Sequence, residues 1–341
     1  MSTVWAPKTG PFDVITMGRS GIDLYPLQVG VGLEDVETFG KFLGGSPMNV
    51  AVAAARYQNR SAIITGVGAD PFGNFVETEM ERLGVSSAFV VTNPKFNTPI
   101  AFCEIFPPDN FPLYFYRQPS TPDLELTIAD VPLREVEEAK IFWISLTGLS
   151  SKPSCDAHLA TLNARKNLLG SPDHWTIIDL DYRDTFWPSS NEARKQIQRV
   201  LSQVDVAIGN IEESRVAVGE TDPDRAADAL LEAGVKIAVI KQGPAGTLAK
   251  TRDERVLVPA TPVQVCNGLG AGDAFGGAFC HALLRNWSLG ESVQFASTAG
   301  AIVASKLECS TAMPTEDEVS ELIAQNPASA PVIEHRRTST K

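Results

Sequence analysis

Basic charge is scarce in this sequence. Its 341 residues carry 29 Lys and Arg against 41 Asp and Glu, a formal net charge of −12. A field of that sign repels a phosphate backbone and no internal basic patch offsets it, so nucleic acid is excluded as a partner. The one basic cluster, HRRTSTK at 335–341, follows the loose segment NPASAPV. Residues 326–341, like 1–11, are expected to be flexible tails. The four histidines form no HxxxH pair, and the five cysteines (103, 155, 266, 280 and 309) never fall in a CxxC spacing. A structural zinc site and a disulfide framework are therefore excluded, and a reducing, cytoplasmic setting is expected. No window approaches the roughly 18 uninterrupted apolar residues of a membrane span. The opening MSTVWAPKTGP has no charged start followed by an apolar run, so no secretory signal is expected.

What is present is a core-building sequence, 43% hydrophobic. Val14–Met17 reads as a first buried strand. In GGSPMNVAVAAARYQ (44–58), Ser46 is the expected N-cap and Pro47 the first helical residue. SAIITGVG (61–68) reads as a strand followed by a turn, and GNFVETEMERLG (73–84) as a helix closed by glycine. FVVT (89–92), PIAFCEIF (99–106) and PLYFYR (112–117) are strand-like, and the last two form a meander because no helix separates them. From about residue 123, strands at 140–146, 175–181, 204–210 and 236–243 alternate with helices at 154–168, 191–202, 212–218 and 224–233. A β-like stretch at 254–267 and helices at 272–287 and 290–306 follow. Continuous apolar strands between helices predict an α/β fold, a doubly wound, mostly parallel sheet covered on both faces. The main body is expected at 12–21, 41–97 and 121–325, with a small β element at 22–40 and 98–120.

The stretch NGLGAGDAFGG (267–277) sets one acid, Asp273, among five glycines, and apolar spacing at 274, 275, 278, 279, 282 and 283 marks a helix. A helix N-terminus with glycines before it favours an anion, and Asp273 would stand beside that anion as a base for an attacking hydroxyl. An aspartate simply capping the helix after a flexible turn is the alternative. Two other glycine motifs are excluded: no lysine follows as in a Walker A loop, and Asp273 and Phe275 break the GxGxxG spacing.

GAGD opening a late helix, together with Gly44, Gly45 and Asn49 opening an early one, resembles the ribokinase or PfkB-type carbohydrate kinases. DLDYR (179–183), NIEE (210–213) and KQGPAG (241–246) are similar to further motifs of that family in its order, over roughly 12–325. TMGRSGIDLYP, FGKFLGGSPMNVAVAAARY and ASKLECSTAMPTEDEV look most like its 5-dehydro-2-deoxygluconokinase group, which serves myo-inositol catabolism. The resemblance implies a ribokinase-like fold whose β element is a lid, and ATP and Mg2+ as cofactors. It implies Asp273 as general base, and Gly270, Ala271 and Gly272 as the anion hole. Asp23, Gly44, Gly45 and Asn49 would hold the sugar. Asn210, Glu213, Lys241, Gly243 and Gly246 would serve the nucleotide, with Glu213 reaching Mg2+ through water. Relatives often pair through their lids, so a homodimer is implied too.

Arg117, ending YFYR, and Arg183, ending DLDYR, are candidates to grip a substrate carboxylate, with Arg19 as a further one. Ordinary ion pairs are the alternative for them, and packing the alternative for Tyr114 and Tyr116. The expected reaction moves the γ-phosphate of ATP to the 6-hydroxyl of 5-dehydro-2-deoxy-D-gluconate. The alternatives are a 2-keto-3-deoxygluconate kinase, a fructokinase or ribokinase-like enzyme, and a non-catalytic sugar sensor. An ordinary carboxylate, with a pKa near 4, would leave Asp273 ionised at pH 7. One departure stands out: relatives carry DTx before GAGD, and their acid helps bind an activating monovalent cation, whereas this chain has Asn267. An amide oxygen still ligates potassium, but without charge. Cys309-Ser310, in place of a glycine-containing turn, bears on the same cation.

Overall fold

A computed structural model of the chain describes residues 10–335. It begins with strands β1 (Val14–Met17), β2 (Gly21–Pro26) and β3 (Phe39–Gly44), then α1 (Ser46–Arg56), β4 (Ser61–Gly68) and α2 (Pro71–Arg82). Four short strands follow: β5 (Val85–Ser86), β6 (Val90–Asn93), β7 (Ile100–Cys103) and β8 (Leu113–Tyr116). Alternation then sets in, with α3 (Leu133–Glu138), β9 (Ile141–Ser145), α4 (Ser154–Arg165), β10 (Trp175–Asp179), α5 (Ser190–Val200), β11 (Val206–Asn210), α6 (Ile211–Val218), α7 (Pro223–Glu232) and β12 (Ile237–Lys241). The last part holds β13 (Thr247–Lys250), β14 (Glu254–Val258), α8 (Ala271–Leu284), α9 (Leu289–Ala304), α10 (Glu316–Gln325) and β15 (Val332–His335).

The large sheet runs β15-β14-β13-β12-β11-β10-β9-β1-β4-β5, with β6 also beside β4. From β12 to β4 every pairing is parallel, and β13, β14 and β15 add antiparallel strands at one edge. Alternate residues of one strand enter different cores. Ile15, Phe142 and Ile178 face α3 to α7, while Val14, Trp143 and Ile177 face α1, α8 and α9. Burial on both faces is why these strands read as unbroken apolar runs. The second sheet, β3-β2-β7-β8, is mixed: β2 pairs antiparallel with β3 and parallel with β7, and β7 and β8 form a hairpin.

Two local expectations are corrected. Gly45, at φ 102, holds the N-cap position of α1, and Ser46 is the first helical residue. The stretch ahead of the basic cluster is no loose tail: β15 pairs antiparallel with β14, and Gln294 donates to the Ser329 carbonyl. The basic residues from 336 on, and residues 1–9, lie outside the described residues. Helix α10 and strand β13 were not anticipated.

The topology decides where a site can form. The chain leaves β1 toward β4 on one side and later returns as β9 on the other, so strand order reverses there. A crevice opens at the carboxyl ends of parallel strands beside such a reversal. Arg19 follows β1, Asp179 ends β10, Asn210 ends β11 and Lys241 ends β12. Residues distant in sequence thus reach one rim.

Candidate active site

Helix α8 is placed by close packing. A Cβ on Gly277 would collide with the Ala53 side chain and the Ala54 backbone of α1, and one on Gly276 with the Trp143 ring. With hydrogen at both positions, α8 lies directly on α1. That proximity lets Asn49 Nδ2 donate to Asp273 Oδ2 at 2.8 Å. These two glycines therefore serve packing, of α8 on α1 and on the Trp143 ring of β9. Gly270 is different: its φ of 80 is in the left-handed region, and Cys309 Sγ occupies the space a Cβ would need. No side chain caps α8, so the N–H groups of its first turn have no side-chain partner.

Asp273 is half-buried, and desolvation pushes its pKa up to about 6, opposed by the Asn49 hydrogen bond and reinforced by Asp181. The expectation of an ordinary carboxylate is thus corrected, although the group is still mostly ionised at pH 7. Lys241 lies at the α8 N-terminus too. Its Nζ is 3.0 Å from where a Gly272 Cβ would stand. Burial works against its charge, but Asp179, Glu213, Asp273 and Asp181 together raise its pKa. The result is an uncapped helix N-terminus, a cation and a raised carboxylate within one recess. An anion fits the first two, and a hydroxyl fits the third.

Asn210 and Glu213 form a reciprocal capping box on α6: the Asn210 N–H donates to Glu213 Oε2 at 2.7 Å, and the Glu213 N–H to Asn210 Oδ1 at 2.9 Å. They sit beside Asp179, whose carboxyl is pushed up by burial against Lys241, with Glu213 and Asp181 adding to the rise. Among the described residues no three His, Cys, Asp or Glu side chains form a metal cage. Mg2+ does not require one, because it keeps waters and uses one or two carboxylates beside phosphate oxygens. Asp179 and Glu213 fit that donor set. Gly243 (φ 57) and Gly246 (φ 95) shape the turn after β12, where a Cβ on Gly246 would strike the Val258 carbonyl.

The lid sheet brings a second group. Asp23 on β2 is half-buried, its pKa raised to about 6 by desolvation despite a hydrogen bond from Tyr25 and the nearby Arg19. Its side chain lies over Gly44, so any Cβ there would overlap the carboxylate, and Gly44 serves Asp23 rather than presenting a surface of its own. Asp23, Gly45, Ile22, Phe115, Arg19 and Arg117 line a small cleft between lid and body. Arg117 Nη2 donates to Asp123 Oδ2 at 2.7 Å, and Arg19 Nη2 to Asp181 Oδ2 at 3.3 Å. Both guanidinium groups lie over the Phe186 ring, 5.1 and 5.9 Å from its centre. Each nevertheless keeps a buried donor without a partner, Nη1 of Arg117 and Nε of Arg19.

Arg183 stands apart from that cleft. It grips Asp181 Oδ1 through Nε at 3.0 Å and Nη2 at 2.9 Å. Asp181, Glu213, Asp273 and Asp179 overcome the cost of its burial and raise its pKa. Asp181 therefore holds Arg19 on one oxygen and Arg183 on the other. Burial opposes its ionisation, but Arg183 and Arg19 keep its carboxyl below the ordinary range. Asp179 and Asp181 were missed as site residues, although their place at a strand's carboxyl end beside a known motif was a usable signal. Asn267 is fully buried, with both amide atoms engaged in hydrogen bonds.

The profile of the pfkB family of carbohydrate kinases matches residues 12–316. The chain belongs to this family. It is an ATP-dependent carbohydrate kinase. Among curated relatives, a 5-dehydro-2-deoxygluconokinase of Listeria monocytogenes is 34% identical over 92% of this chain and 96% of its own. One from Geobacillus thermodenitrificans is 30% identical over 96% of this chain and 97% of its own. A putative ribokinase II from E. coli, solved with ATP and Mg2+, superposes with a TM-score of 0.82 at 21% identity, covering 92% of this chain and 99% of that one. The kinase thus has a ribokinase-like fold, and its second sheet is the smaller lid. Among the described residues no helix is long and apolar enough to cross a membrane.

Proposed function

We propose that this kinase phosphorylates the 6-hydroxyl of 5-dehydro-2-deoxy-D-gluconate. The observation that carries the reading is the pair of guanidinium groups in the cleft, Arg19 and Arg117, each buried and each with an unpartnered donor. A buried cationic donor without an acceptor is costly, and a substrate carboxylate would satisfy both. A neutral sugar's hydroxyls would also accept these N–H groups, but without the charge that strengthens the bond. The two curated relatives described above carry the name of this same activity, which supports the choice among sugar acids. In this reading Arg19 replaces Arg183 as the partner of Arg117, and Arg183 stays with the phosphate end.

Asp273 then takes the proton of the 6-hydroxyl while that oxygen bonds to the γ-phosphorus. The bond from phosphorus to the bridging oxygen of ADP breaks, leaving the electron pair on ADP and the proton on Asp273. Charge developing on the transferred group meets the N–H groups of Gly270, Ala271 and Gly272 and the Lys241 ammonium, positioned before reaction. Asn49 steadies the base, and Asp23 and Gly45 face the sugar. Asn210, Glu213, Gly243 and Gly246 would flank the nucleotide, and Mg2+ held near Asp179 and Glu213 would neutralise phosphate charge. A lid over the cleft excludes water as a competing acceptor. The lid also exposes Tyr114, Tyr116, Leu27 and Val29, which supports pairing of two copies there. Cytoplasmic myo-inositol catabolism is the setting that fits this substrate.

The test is Arg117→Ala assayed by ADP release. The KM for the sugar acid is expected to rise at least ~10-fold, the loss of one or more charge-assisted hydrogen bonds, with little change for a neutral hexose. Equal effects on both substrates would remove the carboxylate reading.

A further inference from the structure

The loop before α8 is tied to the turn after α9 by one buried amide. The Asn267 N–H donates to the Ala304 carbonyl at 3.1 Å, Nδ2 donates to the Leu307 carbonyl at 2.8 Å, and Oδ1 accepts from the Leu269 N–H at 3.1 Å. The amide's orientation is fixed by these partners, since a flip would set donor against donor and acceptor against acceptor. The turn so held carries Cys309, whose Sγ packs where Gly270 lacks a Cβ, and Ser310, whose Oγ donates to the Leu43 carbonyl of β3 at 2.9 Å. Asn267 thus joins the anion-hole loop, the turn behind it and the lid strand beside Gly44.

The family resemblance implies a monovalent cation in this region, bound with the help of an acid. A buried cation needs converging oxygens and compensation for its charge. Asn267 supplies no negative charge, and its side-chain amide aims a donor at the Leu307 carbonyl. The side-chain oxygen of Asn267 is turned to Leu269, the Leu307 carbonyl already accepts an N–H, and an ion between them would face the donor Nδ2. The residues present do not fit the cation.

We infer that Asn267 is a positioning residue that takes the place of the activating cation, so that phosphoryl transfer by this kinase is independent of potassium. A neutral donor does the bridging that a cation would do between carbonyl groups, and it is always in place. The inference rests on the kinase reading, but one of its measurements does not.

The test compares KCl with tetramethylammonium chloride at equal ionic strength, following both kcat and the melting temperature of the full chain. For the unmodified protein both are expected to be the same in either salt, with kcat within about 2-fold. Asn267→Asp turns an acceptor toward the Leu307 carbonyl, and its kcat is expected to fall about 10-fold or more without potassium and to recover with it. Asn267→Ala should lose kcat with no potassium rescue and a nearly unchanged KM for the sugar, whose cleft lies elsewhere. A potassium-dependent kcat or melting temperature in the unmodified protein would overturn the inference, as would an Asn267→Asp variant indifferent to the salt. Melting needs no substrate, so a failure to find any phosphorylated sugar would count against the kinase reading and leave this comparison valid.

Discussion

Asp273→Asn is expected to make the protein more stable and nearly inactive at once. Burial holds the Asp273 carboxyl at about 6 in place of its ordinary 3.8. A raised acid penalises folding when ionised: the penalty is absent below pH 4, grows as pH passes from 4 to 6, and is complete above 6. A rise from 3.8 to about 6 corresponds to about 3 kcal/mol at pH 7. Asparagine keeps an oxygen for Asn49 Nδ2 and carries no charge to bury. Urea denaturation at pH 7 should therefore show a gain approaching that figure, and at pH 4 almost none. Turnover should fall by about 10²-fold or more, because an amide takes no proton from the attacking hydroxyl. A variant no more stable at pH 7 than the parent, or one that retains its turnover, would refute the reasoning.

Two further outcomes follow from the same contacts. Removing the Asn49 donor should raise the Asp273 pKa further, so in Asn49→Ala the acid limb of kcat/KM should move up by about one pH unit from near 6. Asp23 titrates in the same range, so the movement of the limb, read from pH–rate profiles, is the diagnostic; an unmoved limb contradicts the assignment. Gly277→Val should wedge α8 from α1, costing about 1–3 kcal/mol in urea denaturation and lowering kcat. A loss below about 0.5 kcal/mol would show that close helix approach is not what this glycine provides.

Much of the fold was legible because burial on both sheet faces writes itself as apolar runs. The first strand has the bounds read from the sequence, while in SAIITGVG the strand runs on through the residues expected to turn. The elements that escaped lack that signature. Strand β15 is exposed along its length, α10 buries only Val319, and β13 ends in a lysine that reads as polar yet is buried between Asp224 and Asp228. In the site, Asp273 and its loop were legible because glycine, acid and helix spacing are local. The grip of Asp181 on Arg19 spans 162 positions and leaves no local trace. Asn267 was visible as a departure, but only its two hydrogen-bond partners give the departure a consequence.

The most direct measurement is ADP release by the unmodified kinase with ATP and Mg2+ across a panel of sugar acids and neutral sugars. On the proposal that the two buried guanidinium groups grip a carboxylate, kcat/KM for 5-dehydro-2-deoxy-D-gluconate should exceed that for fructose or ribose by at least ~10²-fold. A neutral sugar turned over as well as, or better than, every sugar acid would contradict the account.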